Sequence, residues 1–452
     1  MRSLFTTGNS CARRGVMLAL SAFGLLTALS PTLSAQAAAR TFSSVASHPL
    51  YDGVARLDPE TRTLEARWRL TVPAPPAEQV VLLLNDSLRE VQITGADVRA
   101  VTRSTQRGLA RFEVQLRHRD GARTITLDIA ALGALHISDE GINTVRADYV
   151  ELGLDSFWFP VLEGFPDIVG TVRLVLPSAL HVIASGEVTS VRDTTMIRST
   201  VPLPDLAFVA SAQLTSTAAG GVSEGTVHVR THHTTASPAL VDAMRGVTVQ
   251  CAEYLNARYG RPQPLPPVEL VLPSRTGPGY ARKHYIVVPI GEWQGPADSA
   301  RVRAASQTGF LCHELAHFWA SGADASGADN WVNEGFAEFV AGRAVRTLVG
   351  ADAWTSTLAQ WRARATRAGA VWIPGRTSRP DANASYGSVP WLLAQLETRV
   401  GETAMDHLLT RFMTEPWRTS DAVLSLLAEA LAIEHVTWFT DALQRPRVGA
   451  TP

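Results

Sequence analysis

Apolar and polar positions alternate along the first half of the chain. Leu64, Ala66, Trp68, Leu70 and Val72 interleave with Glu65, Arg67, Arg69 and Thr71, the period of a strand with one face buried. Phe112, Val114 and Leu116 repeat the pattern, and 80–84 is a continuous apolar run. Asp58-Pro59 and the proline-rich stretch 73–76 punctuate the strands. Residues 38–217 are therefore expected to form one antiparallel β-sandwich or saddle domain, within the usual size of a single domain.

The period changes after a small-residue linker, AAGGVSEG at 218–225. One strand, VHVRTHHTT at 227–235, carries His232 and His233 side by side. Adjacent strand residues point to opposite faces, so these two read as ordinary strand histidines near the surface and not as a ligand pair. An amphipathic helix over 238–259 follows, set to pack beneath a later helix at 303–321. Strands at 268–272 and 285–289 flank SRTGPGYARKH. Helical patterns then dominate: 303–321, 331–348, 353–367, 388–415 and 421–443. The fold class is α+β, a β domain followed by a mostly helical domain over 218–452.

Residues 1–37 fall outside this organisation. Arg13-Arg14 precede an apolar run at 16–29, and Ala35-Gln36-Ala37 is a small-x-small cleavage site, the pattern of a secretory signal peptide. The run is shorter than the ~20 residues that a membrane span needs, so the mature chain is expected to have no transmembrane anchor. Export to a periplasm or the outside follows. Without the leader the chain has 41 − 3 = 38 basic residues against 42 acidic, a charge of −4, with Lys283 its single lysine. That balance gives no basic patch for nucleic acid. Cys11 leaves with the leader, so Cys251 and Cys312 are either two buried thiols or a bridge.

The chemistry concentrates at 313–334, HELAHFWASGADASGADNWVNE. His313 and His317, four apart on a helix, can reach one ion, while Glu314 is rotated by about 100° and can address a water. A catalytic zinc takes three protein ligands and keeps one position open. Glu334, on the following helix, is the candidate third ligand, which makes His313, His317 and Glu334 a set for one Zn2+ per chain.

HELAH and WVNEGFAEF together resemble the zinc site of the aminopeptidase N family of gluzincin metallopeptidases. ARLDPETRTLEARWRLTV, FWFPVLEGFPDIVGTVRLVLP and the closing TWFTDALQRPRV resemble other parts of the same family. The resemblance implies a thermolysin-like gluzincin catalytic domain. It also implies Glu314 as general base, and Tyr386, 52 residues beyond Glu334, as the oxyanion donor. An acidic residue at the place of Glu338 can hold a zinc histidine from behind; a solvated helix-face glutamate is the alternative. Three departures are visible. Sixteen residues separate His317 from Glu334 where the family usually has eighteen. No large helical C-terminal domain follows. In the family's Gly-x-Met-Glu-Asn motif a glutamate grips the substrate's free α-amine, and Arg282 stands in its place.

A guanidinium repels an ammonium and prefers a carboxylate. The resulting expectation is an exported zinc metallopeptidase that hydrolyses peptides or proteins and is not a strict aminopeptidase. The rivals are an aminopeptidase with a substituted amine site, an inactive relative kept as a binding protein, and a zinc hydrolase acting on another bond.

Overall fold

A computed structural model describes residues 48–445, apart from 74–77, 107, 118–123, 138–140, 166, 218–226, 261–266, 292, 294–299, 321, 326, 416 and 418. The leader, the linker 218–225 and the turn at 74–76 lie outside the described residues.

The N-terminal part is β-rich. A seven-stranded sheet runs in the order Glu187–Val191, Thr194–Leu203, Ile168–Val175, Leu50–Asp58, Thr63–Pro73, Thr124–Ala134, Leu88–Thr94. A four-stranded sheet of Val161–Leu162, Gln79–Asn85, Leu109–Leu116 and Val98–Gln106 packs on its inner face. The alternation read from the sequence is what buries this core. Ala66, Trp68 and Leu70 point inward with Leu82, Leu84, Phe112 and Val114, while Glu65, Arg67 and Arg69 stay exposed. The pairing is not wholly antiparallel as expected, because Leu50–Asp58 runs parallel to Ile168–Val175. Those two strands are more than a hundred residues apart, so no hairpin constrains their direction.

A third sheet, His181–Ala184, Phe208–Ser211, Tyr149–Leu152 and Thr144–Arg146, faces the C-terminal part. There Thr215–Thr217, Val229–His233, Val268–Leu272, Tyr285–Val287 and Tyr280–Arg282 form a five-stranded sheet, in that order. Tyr149, Ala207 and Val209 pack against Val271, Tyr280, Tyr285 and Val287 to form a small core between the two sheets. Two buried ion pairs cross the same boundary. Arg275 meets Glu151 through Nε at 2.5 Å and Nη2 at 2.7 Å. Arg282 meets Asp205 through Nε at 2.8 Å and Nη2 at 2.9 Å.

Eight helices complete the described chain: α1 Pro238–Tyr259, α2 Ala300–Trp319, α3 Asn330–Leu348, α4 Ala351–Ala365, α5 Val389–Val400, α6 Glu402–Thr414, α7 Ser420–Ala430 and α8 Ile433–Gln444. The single helices expected over 388–415 and 421–443 are each two. Gly401 adopts φ 88°, a left-handed value that glycine tolerates, and separates α5 from α6. Leu431 and Ala432 take extended backbone between α7 and α8. The helices and the five-stranded sheet share one core around Phe336, Phe339, Leu311 and Leu393.

Two further expectations are settled by packing. Cys251 on α1 and Cys312 on α2 form a disulfide, tying the two helices together. His232 is not near the surface. It is 2% exposed, with Ser216 Oγ at 2.8 Å from Nδ1 and Glu269 Oε2 at 2.6 Å from Nε2. Strand Thr215–Thr217 pairs alongside and sets Ser216 next to the ring, which a reading of one strand alone does not reveal.

Candidate metal centre

The site forms where α2 and α3 pack side by side. On α2, His313 and His317 share the inward face, and Cys312 is turned away into its disulfide. α3 is placed by its neighbours. Asp329 Oδ1 accepts from the backbone N–H and hydroxyl of Ser420, at 2.8 and 2.5 Å, and Trp331 Nε1 donates to Ser420 Oγ at 2.8 Å. Gly335 lets α5 approach closely, since a Cβ there would lie 2.2 Å from Val389 Cγ1. The short loop between α2 and α3 is closed by Asn333. Its Nδ2 donates to Ala323 O at 2.9 Å, and its Oδ1 accepts from the N–H groups of Gly322 and Ala323 at 3.3 and 3.2 Å.

This packing brings the three expected ligands together. Donor atoms of His313, His317 and Glu334 lie within 4.8 Å of one another. Glu334 Oε2 is 3.3 Å from His313 Nε2 and 3.7 Å from His317 Nε2. Two imidazole nitrogens and one carboxylate oxygen, converging and nearly buried, are a donor set that suits zinc.

The electrostatics favour a cation. Burial alone lowers the pKa of His313, yet the carboxylates of Glu334 and Glu338 overcome it and raise it to about 10. Burial also opposes ionisation of Glu334, but His313, His317 and Arg379 bring its pKa down to about 2. Burial lowers His317 to about 4, leaving a neutral imidazole with a lone pair to offer. Glu314 is raised to about 7, first by burial, while His313, Arg282 and the Ala281 backbone N–H act the other way.

Tyr386 reaches the same point from a π-helical turn, Ala384–Ser388, just before α5. Its hydroxyl donates to Glu334 Oε2 at 2.7 Å, and its ring stacks on His313 with centroids 5.7 Å apart. Glu338 faces inward and is 7% exposed; its Oε2 lies 3.0 Å from His313 Nδ1. Of the two readings open from the sequence, the geometry agrees with the one in which it holds the histidine from behind.

Arg282 does not present a guanidinium for a substrate carboxylate in the way its sequence position suggests. The carboxylate it takes is internal, that of Asp205. Asp205 lies 77 residues earlier, so no local pattern announces it.

Two residues of the site were not singled out from the sequence. Arg379 Nη2 is 3.9 Å from Glu334 Oε1, and the Asn330 amide oxygen, oriented toward Arg379, accepts from its Nη2 and Nε at 2.9 and 3.0 Å. Trp361 Nε1 donates to Glu338 Oε1 at 2.9 Å. Neither residue belongs to a motif, and each is brought in only by the chain's return.

The structure thus sets a β-rich N-terminal part beside a helical part that carries a His-His-Glu cluster able to hold a metal ion. No protein-family model matches the chain. No curated protein sequence matches it either. Among solved structures, the fold is shared with M1 zinc metallopeptidases of Deinococcus radiodurans. A variant of that enzyme bound to a Tyr-Ser-Ala substrate superposes with a TM-score of 0.68 and 20% identity, over 90% of this chain and 95% of the other. The enzyme without substitution gives a TM-score of 0.66 and 21% identity, over 90% and 94%. A two-domain M1 zinc metallopeptidase variant bound to L-tryptophan gives 0.67 and 20%, over 89% and 95%.

Proposed function

We propose that the protein is an exported zinc-dependent metallopeptidase, a divergent relative of the aminopeptidase N family whose catalytic part is thermolysin-like. The observation that carries this reading is the convergence of His313, His317 and Glu334 on one point, with Glu314 and Tyr386 beside it. Zinc bound there would polarise a peptide carbonyl and raise the acidity of a water.

The chain's own groups do the rest. Glu314, with its pKa near neutrality, accepts the water's proton as the carbonyl is attacked and passes it to the leaving amine. Burial, and then the charge of Glu334, keep Tyr386 protonated, so its hydroxyl can donate to the developing oxyanion. Glu338 Oε2 can accept from His313 Nδ1–H, which would leave the Nε2 lone pair for a bound metal. Strand Tyr280–Arg282 is the edge of the five-stranded sheet, and its Ala281 N–H adjoins Glu314. An extended peptide can pair with such an edge, which supports a peptide or protein substrate.

Arg282 is engaged with Asp205 and supplies no carboxylate to grip an α-amine. Cleavage is therefore not tied to a free N-terminus. A second reading, an aminopeptidase with a substituted amine site, is supported by neighbours whose ligands are a tripeptide and single amino acids. Export rests on the leader, with support from the Cys251–Cys312 disulfide, a bond that persists in oxidising compartments. Among the described residues no helix is long and apolar enough to cross a membrane.

The test is metal analysis of the purified protein combined with digestion of a peptide library. About one zinc per chain and metal-dependent cleavage are expected. A zinc-loaded protein that cuts no peptide overturns the reading.

A further inference from the structure

We propose that Trp361 is a positioning residue of the metal centre, acting on His313 through Glu338. The proposal rests on the reading of this site as a zinc centre. The chain of contacts is continuous and buried: Trp361 Nε1 donates to Glu338 Oε1 at 2.9 Å, and Glu338 Oε2 lies 3.0 Å from His313 Nδ1.

Each link has one workable polarity. An indole N–H can only donate, so Glu338 Oε1 is the acceptor; an imidazole that gives Nε2 to a metal carries its proton on Nδ1, so Glu338 Oε2 is an acceptor as well. The other oxygen then accepts from His313 Nδ1–H, which leaves Nε2 as the lone pair toward Glu334 and His317. Without the indole N–H, Oε1 would be buried with one donor fewer. The carboxylate would also be free to turn about its last torsion, and the imidazole plane with it.

Trp361 is itself held rigidly. Its side chain is 2% exposed, and Trp354 meets it edge-on with centroids 5.4 Å apart. Gly342 on α3 passes directly over the ring, where a Cβ would come within 2.3 Å of Cη2. A bulkier residue there would displace the indole. The same helix supports the other side of the site. Gly387, next to Tyr386, sits on α4 so closely that a Cβ would lie 2.4 Å from Arg364 Cβ. α4 therefore braces both the His313 ligand and the turn that presents Tyr386.

A merely structural tryptophan and a positioning one differ in what the N–H does. The discriminating variants, made in the full chain, are Trp361→Phe and Trp361 replaced by benzothienylalanine, which keeps the bicyclic shape and puts sulfur where the N–H was. Glu338→Gln serves as the reference. The measurements are zinc affinity by chelator competition, the visible absorption of the Co2+-substituted protein, and the thermal midpoint.

Outer partners of metal ligands are typically worth 10–100-fold in metal affinity. Glu338→Gln should fall in that range. The benzothienylalanine protein should lose about tenfold, with shifted Co2+ bands and a thermal midpoint close to the wild type. Excess zinc should restore much of any lost turnover. Unchanged zinc affinity and Co2+ spectrum in the folded benzothienylalanine protein would overturn the proposal. So would a loss in Trp361→Phe that only follows a loss of stability. Wild-type protein that binds zinc but cleaves nothing would overturn the peptidase reading and leave the role of Trp361 standing.

Discussion

The hydroxyl of Tyr386 lies 2.7 Å from Glu334 Oε2, the oxygen that also faces the Nε2 atoms of His313 and His317. One carboxylate oxygen thus marks where the candidate metal ligands and the candidate oxyanion donor meet. Tyr386 is delivered there by a π-helical turn, a backbone form that is rare and frequent at functional sites. Tyr386→Phe removes the hydroxyl and keeps the ring stacked on His313. It should lower kcat by roughly 10²–10³-fold with little change in KM and no loss of zinc. Steady-state kinetics with metal analysis checks this; an unchanged kcat assigns Tyr386 to packing.

Glu314 lies next to His313 on α2 and is not part of the candidate metal cluster of His313, His317 and Glu334. Glu314→Gln should retain zinc and lose about 10²–10⁴-fold in turnover, since a positioned general base contributes that much. His317→Ala should lose the metal, and chelation of the wild-type protein should abolish turnover until zinc is restored. Metal retained in His317→Ala would break the ligand assignment.

Arg282 and Asp205 form a buried pair across the two parts of the molecule, side chains 9% and 0% exposed. Removing one member leaves the other's charge buried and unmatched, which costs about 3–5 kcal/mol. Arg282→Ala should therefore shift urea unfolding to markedly lower concentration. A stability equal to wild type would mean that the pair is not formed in solution.

Because that arginine is committed to Asp205, peptides with an acetylated N-terminus should be cut at least as well as free ones. One peptide in both forms, with products mapped by mass, makes the comparison. Stepwise release of single residues from the free form alone would identify an aminopeptidase, with another acidic group holding the amine.

The disulfide between α1 and α2 closes a long loop directly before His313. On the chain-entropy account, a loop of this length restrains the unfolded state by about 4 kcal/mol. The Cys251→Ala, Cys312→Ala protein should unfold at clearly lower urea, and it should still bind zinc, because neither sulfur belongs to the donor set. Zinc lost from a variant that remains folded would show that the bridge sets the register of α2.

The sequence by itself determined the parts of this protein that depend on near neighbours. Alternation placed Leu64, Ala66, Trp68 and Leu70 on an inner sheet face, and a spacing of four put His313 and His317 on one side of a helix. Such patterns are legible because strand and helix periods are set by local backbone geometry. The tertiary structure alone decided what each group meets. It turned Arg282 into a partner of Asp205, buried His232 between Ser216 and Glu269, and joined Cys251 to Cys312. It also split two long helical patterns at Gly401 and at Leu431-Ala432, and brought Trp361 and Arg379 to Glu338 and Glu334. The pairings among these join residues from 16 to 77 positions apart. They are fixed by how helices and sheets fill one core and by which buried charges find a partner there, and neither condition leaves a periodic trace along the chain.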